Sequence, residues 1–251
     1  EGAQGARALA VSEDGRRLLS GHEDKALRLW DAETGSLLRQ YEGCNGAVNA
    51  VCFSPGGKTF LSASADGALR VWDTETGDCS KTILAHGGPA WGVCVNVDGG
   101  QALSAGGDKT LHLWDLAAGK RLRLFQGHDG PVRCLGLTLD CKRAVSAGED
   151  KKLLVWDLAS GKVLASASAG EQPVRALAVS PTGRRALTAG ADKSIKLWSL
   201  AKGECRKTLA GAATEAALCF TPDGLFAAAG GAKGALVVID ASTMEQAAVF
   251  E

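Results

Sequence analysis

A hydroxyl, an imidazole, a carboxylate and an indole recur in this chain at one fixed spacing. His128, Ser146, Asp150 and Trp156 form one set, and His86, Ser104, Asp108 and Trp114 form another, 42 residues earlier. Ser, His and Asp are the residue types of nucleophilic catalysis, in which the imidazole takes the hydroxyl proton and the carboxylate orients the imidazole. The same groups can instead satisfy one another in a buried chain of hydrogen bonds, with the indole N–H joining at the hydroxyl. Repetition favours the second reading. Catalysis needs one open site with an oxyanion hole, whereas a trio copied between units inside the packing serves each unit's stability. Breaking such a chain strands a buried partner at a cost of ~1–3 kcal/mol. No catalytic residue is assigned.

The elements that must position these sets follow from a longer period. Trp30, Trp72, Trp114, Trp156 and Trp198 stand 42 residues apart, and the next step lands beside Ile239-Asp240. Repeats of ~40–45 residues are the period of four-stranded propeller blades. The fourth unit shows the plan. VRCLGLT, AVSAG, LLVWDL and VLASAS are short apolar runs separated by LDCKR, GEDK and ASGK. Such runs between Gly, Asp and Ser turns indicate antiparallel strands, and no helical periodicity persists long enough to compete. Pro55, Pro181 and Pro222 share one turn slot, where a fixed φ suits the second turn residue. Gly35, Gly77, Gly119, Gly161 and Gly203 share another, where positive φ is expected. The sixth unit is a poor copy: it keeps the strands and loses the Trp and the turn Asp.

With these residues in place, the chain resembles the WD-repeat β-propeller family over essentially its whole length. Trp-Asp pairs stand at 30–31, 72–73, 114–115 and 156–157, with Trp198-Ser199 as a variant. Gly-His, the other family dipeptide, is in register only at Gly127-His128. His86 follows Ala85, and Gly21-His22 is out of register and reads as coincidence. The resemblance implies that Trp, Ser/Thr, Asp and His are linked by hydrogen bonds within each blade. Units three and four carry all four. Units one, two and five keep Ser20, Asp24, Trp30; Ser62, Asp66, Trp72; and Thr188, Asp192, Trp198, with Gly2, Cys44 and Gly170 at the His position. Unit six has Ala212, Ala229, Lys233 and Ile239 instead.

The fold expected is all-β: one domain over 1–251, a propeller of six four-stranded antiparallel blades at approximately 1–42, 43–84, 85–126, 127–168, 169–210 and 211–251. Six blades of a seven-bladed or larger propeller, completed from outside this sequence, are the alternative. The start at Glu1 reads as the cut end of a longer protein, so membership of a longer chain or complex is also expected.

Composition narrows the function. The chain has 28 basic and 28 acidic residues among 251, so no global field steers it to nucleic acid or to a membrane surface. No run of ~18 apolar residues suggests a spanning helix. Eight Cys include no Cys-x-x-Cys pair, so no metal site or cofactor is expected. Cys52 and Cys94 share a period position with Gly136 and Ala178, as packing residues would. Unpaired thiols suggest a reducing, cytoplasmic compartment.

A partner site is expected on the top rim, which the resemblance places at the start of the innermost strands. That slot reads Arg7, Asn49, Trp91, Arg133, Arg175 and Ala216. The residue after the turn Asp adds Lys25, Lys109, Lys151 and Lys193 on the same rim, offset by Glu23 and Glu149. Trp91 stands outside the periodic series, and a Trp beside several Arg suits a binding hot spot. The function expected is a protein–protein interaction scaffold or sensor that binds a peptide or protein, acidic in character, through Arg7, Asn49, Trp91, Arg133, Arg175, Lys109 and Lys151. One aromatic makes no stacking platform, which disfavours nucleic acid. A structural assembly unit and a propeller-fold enzyme are the alternatives. No enzymatic activity is expected.

Overall fold

The computed structural model describes residues 5–211, 217–230 and 235–250. Gly2, Ala212, Ala216 and Lys233 lie outside the described residues. The chain forms six four-stranded antiparallel sheets, each built from consecutive strands in simple up-and-down order. These are the six propeller blades expected, and their strands span 6–41, 48–84, 90–126, 132–168, 174–209 and 218–250. No helix among the described residues is long and apolar enough to cross a membrane.

Blade four shows how sequence becomes blade. Its strands are Val132–Leu137, Arg143–Gly148, Lys152–Asp157 and Val163–Ser168. The two central strands are almost wholly buried, and the outermost alternates between exposed and half-buried positions. A central strand covered on both faces reads as a continuous apolar run, and an edge strand as an alternating one. The residue pairing Ala144↔Trp156 brings the Trp across from the smallest possible side chain on the second strand. The turn glycines behave as expected: Gly161 has φ +76°, and its four counterparts have φ between +64° and +89°.

Contacts group the chain into two compact units, 1–126 and 127–251, of three blades each. In the first, Leu19, Leu29, Val51 and Trp72 join blades one and two, and Leu61, Leu69, Val93 and Trp114 join blades two and three. In the second, Val145, Val155, Leu200 and Trp198 join blades four and five, and Leu187, Leu197, Val237 and Ile239 join blades five and six. The core therefore lies between sheets. Blade six is the thinnest, with a first strand of only three residues, Leu218–Phe220.

A candidate partner-binding rim and the network beneath it

In blades three and four the sequence-predicted sets come together. His86 Nδ1 lies 3.0 Å from Asp108 Oδ1, its Nε2 lies 2.8 Å from Ser104 Oγ, and Trp114 Nε1 donates to Ser104 Oγ over 2.9 Å. His128 repeats this, at 2.8 Å to Asp150 and 2.7 Å to Ser146, with Trp156 donating to Ser146 over 2.8 Å. A neutral imidazole satisfies every member. Indole N–H donates to the hydroxyl, the hydroxyl to Nε2, and Nδ1–H to the carboxylate. Ser104 and Ser146 are fully buried, so neither hydroxyl can reach a substrate carbonyl. Burial holds the His86 imidazole below its ordinary pKa and thus neutral. Burial also works to raise the Asp150 carboxyl, but the hydrogen bonds from His128 and from the Asp129 and Lys152 N–H groups outweigh it and leave the group below the usual carboxylate range.

The candidate partner-binding residues share a feature that the sequence does not reveal. In each of the first five blades the first two strands pair in register except at one extra residue. Those residues are Arg7 (between Ala6 and Ala8), Asn49, Trp91, Arg133 and Arg175. Each is the bulged residue of its innermost strand, and a bulge re-aims a side chain out of the ladder. In the first unit the bulged side chains link across blades. Arg7 donates to Glu23 (Nε, 2.9 Å) and to Asn49 Oδ1 (3.3 Å), and Asn49 Nδ2 donates to the Ala90 carbonyl (2.9 Å), next to the half-buried Trp91. In the second, Arg133 and Arg175 of neighbouring blades both reach Glu149 Oε1, at 2.7 and 3.3 Å. Lys25, Lys109, Lys151 and Lys193 are exposed at the adjoining turns with left-handed backbones, φ +61° to +70°. Such a conformation costs a non-glycine residue on the order of 1 kcal/mol. In blade two Gly67 takes the slot, because a Cβ there would sit 2.6 Å from the His86 carbonyl.

The sequence profile of the WD domain, G-beta repeat, matches residues 2–31, 35–73, 77–115, 119–157 and 161–199. The chain belongs to this WD-repeat family. Each matched segment ends on the Trp-Asp pair or its Trp198-Ser199 variant, and none reaches into blade six, in keeping with its loss of the Trp. A 44-residue stretch is 48% identical to Autophagy-related protein 16 of Arabidopsis thaliana, covering 18% of this chain and 9% of that protein. That is about one repeat's length.

Within the WD pattern, the three blades that lack the usual His close their networks differently. In blade one Ser20 Oγ lies 2.7 Å from His22 Nε2, and Trp30 donates to Ser20 over 2.8 Å. The Gly21-His22 pair is therefore no coincidence: His22 supplies an imidazole from the end of the second strand, where it is buried. Arg28 completes the set by bonding Asp24 over 2.6 Å. In blade two the buried Arg70 bonds Asp66 over 2.7 Å and Ser64 over 2.9 Å. In blade five Lys196 Nζ bonds the Ala169 carbonyl over 2.6 Å and reaches Asp192 at 3.4 Å. A Cβ on Gly170 would sit 2.5 Å from that ammonium. Arg28, Arg70 and Lys196 occupy one slot, two residues before the Trp. Where the His is missing, a cation from this slot neutralises the turn Asp. Where His128 is present, the slot holds Leu154. Blade three alone of these five combines His86 with a second imidazole there, His112.

Proposed function

We propose that this WD-repeat chain is a protein-interaction scaffold whose bulged rim residues take an acidic peptide or protein segment. Arg7, Asn49 and Trp91, with Lys109, form the recognition surface of the first unit. Arg133 and Arg175, with Lys151, form that of the second. The observation that carries the reading is the sharing of Glu149 by two guanidinium groups. The two guanidinium groups converge on one carboxylate, which sets planar donor forks side by side for an incoming carboxylate. The half-buried Trp91 supplies the apolar anchor that hot spots favour. The family adds support, since its propellers typically bind other proteins. The eight cysteines are free thiols, which suits a reducing, cytoplasmic setting. The proposal contains no catalytic step.

The test is fluorescence anisotropy with a panel of acidic and scrambled-charge peptides, run on wild type, Trp91→Ala and Arg133→Glu/Arg175→Glu. Each variant should weaken binding at least tenfold, and binding should fall steeply with salt. If both variants bind every peptide as wild type does, the rim is not the site.

Assembly through outer strands is a second reading. It draws on Leu37, Leu38, Leu122 and Leu124 in the first unit and Val163 and Leu164 in the second, all exposed on fourth strands. Sedimentation should show association that rises with concentration. A monomer across the accessible range ends that reading.

A further inference from the structure

Blade three places a second histidine where the other WD blades carry a cation or a leucine. His112 stacks on His86, with ring centroids 4.4 Å apart and planes at 17°. Asp108 lies beside both. One donor atom from each of His86, Asp108 and His112 falls within 4.8 Å of the others. Their present link is a hydroxyl: Thr110 Oγ1 donates to Asp108 Oδ1 over 2.7 Å and lies 3.0 Å from His112 Nε2. Two imidazoles and a carboxylate clustered this closely offer a donor set for a borderline divalent ion. We infer that His86 Nδ1, the Asp108 carboxylate and His112 Nε2 form a zinc-class metal site, with the fourth position open to water.

The donor atoms are already close, and one ring must turn out of the stack for both in-plane lone pairs to meet at one ion. Zinc bonds of ~2.0–2.2 Å put tetrahedral donor atoms roughly 3.4 Å apart. His86 Nδ1 and the nearer Asp108 oxygen are already 3.0 Å apart, so His112 makes most of the movement, on the order of 1 Å. A metal on His86 Nδ1 moves that ring's single proton to Nε2, where Ser104 Oγ accepts it as it already accepts Trp114 N–H. A metal on His112 Nε2 puts that ring's proton on Nδ1, with the Ala85 carbonyl beside the ring to accept it. The Asp108 side chain is 25% exposed and the His86 side chain is not exposed at all, so an ion would enter past the carboxylate. No Cys takes part, and the ligands sit on a linker, a turn and a strand, which is why a search for close sequence pairs passes over them.

The experiment titrates chelator-stripped full chain with Co2+ by absorption, and with Zn2+ by NMR of its four histidines. One ion per chain should bind with d–d bands and no thiolate charge-transfer band. The His86 and His112 ring resonances should move while those of His22 and His128 stay. His112→Leu copies blade four's Leu154, so the blade should fold, and affinity should fall at least tenfold. A charge-transfer band, binding by His112→Leu equal to wild type, movement of His22 or His128 instead, or no binding at millimolar ion would each overturn the site.

Discussion

Arg70→Leu should lower stability by about 3 kcal/mol at neutral pH, the largest loss expected of any single polar substitution in this chain. The Arg70 side chain is 5% exposed and the Asp66 carboxylate 17%. The pair is therefore largely desolvated, and removing one partner leaves the other charge buried alone, at a cost of ~3–5 kcal/mol for a fully buried pair. Ser64 also loses a donor. Equilibrium denaturation in urea reads the loss as a lower midpoint. Its pH dependence separates this cause from simple loss of packing. Burial works to raise the Asp66 carboxyl, but the hydrogen bonds and charge of Arg70, helped by Ser64 and Ala68, hold it at about 2. A depressed carboxyl contributes stability above its unfolded pKa, near 3.8, which disappears as pH falls through 2. In Arg70→Leu burial is opposed only by the remaining hydrogen bonds of Ser64, Ala68 and Asn45, so the folded carboxyl moves up towards its unfolded value and less stability depends on its ionisation. The gap between the two proteins should narrow on acidification from pH 7 towards 3. A gap constant with pH would assign the loss to packing alone.

Restoring a His makes the exchange rule testable. In Cys44→His/Arg70→Leu, blade two acquires the pattern of blade four. The backbone is already set for it: Asn45 N–H donates to Asp66 Oδ2 over 3.2 Å as Asp129 N–H donates to Asp150 Oδ2 over 3.0 Å. Cys44 Sγ also lies 3.9 Å from Ser62 Oγ, the hydroxyl an imidazole there would meet. The double variant should recover at least half of what Arg70→Leu loses. No recovery would mean that the cation and the His are not interchangeable.

These arguments use residues of unequal legibility in the sequence. The Trp series is readable because a strand position opposite Leu, Phe or Ala on the second strand admits few alternatives to the indole, and the period exposes it. The complete sets of blades three and four were readable for the same reason. Arg28, Arg70 and Lys196 were not, since a polar residue two before the Trp looks like ordinary alternation on a strand. The signal was present but joint. Arg, Arg, His, Leu and Lys at that slot accompany Gly, Cys, His, His and Gly at the His slot, and only the two columns together show a charge being supplied where an imidazole is lost. His22 is missed because it reaches Ser20 from two residues along the same strand instead of from the linker. Arg7, Asn49, Trp91, Arg133 and Arg175 share a slot in the sequence, but nothing in their types shows that each is a bulge. That is a property of register, fixed when the first strand takes one more residue than the second can pair.

Asp150→Ala should cost about 2–3 kcal/mol and Asp192→Ala about 1, although both remove the turn carboxylate of a WD blade. The difference lies in what each leaves behind. The side chains of Asp150 and His128 are 4% and 0% exposed. Without the carboxylate, His128 Nδ1–H has no acceptor and no water, the case in which the full desolvation cost of ~1–3 kcal/mol falls due. The Asp129 and Lys152 N–H groups lose an acceptor as well. Asp192 is 30% exposed and its cationic partner Lys196 is 16% exposed and keeps the Ala169 carbonyl, so water and backbone absorb most of the loss. At ~2–4 °C per kcal/mol for a chain of this size, thermal unfolding should place the two melting temperatures several degrees apart. Asp150→Asn keeps an oxygen acceptor for His128 and should recover part of the difference. Acid adds a second test. The depressed Asp150 carboxyl contributes stability that is complete above the ordinary carboxylate pKa and lost as pH falls below it, so the penalty of Asp150→Ala should shrink as wild type itself weakens in acid. Equal melting temperatures for the two alanine variants at neutral pH would mean that the imidazole adds nothing to its blade, and that a cation in the neighbouring slot is a full equivalent.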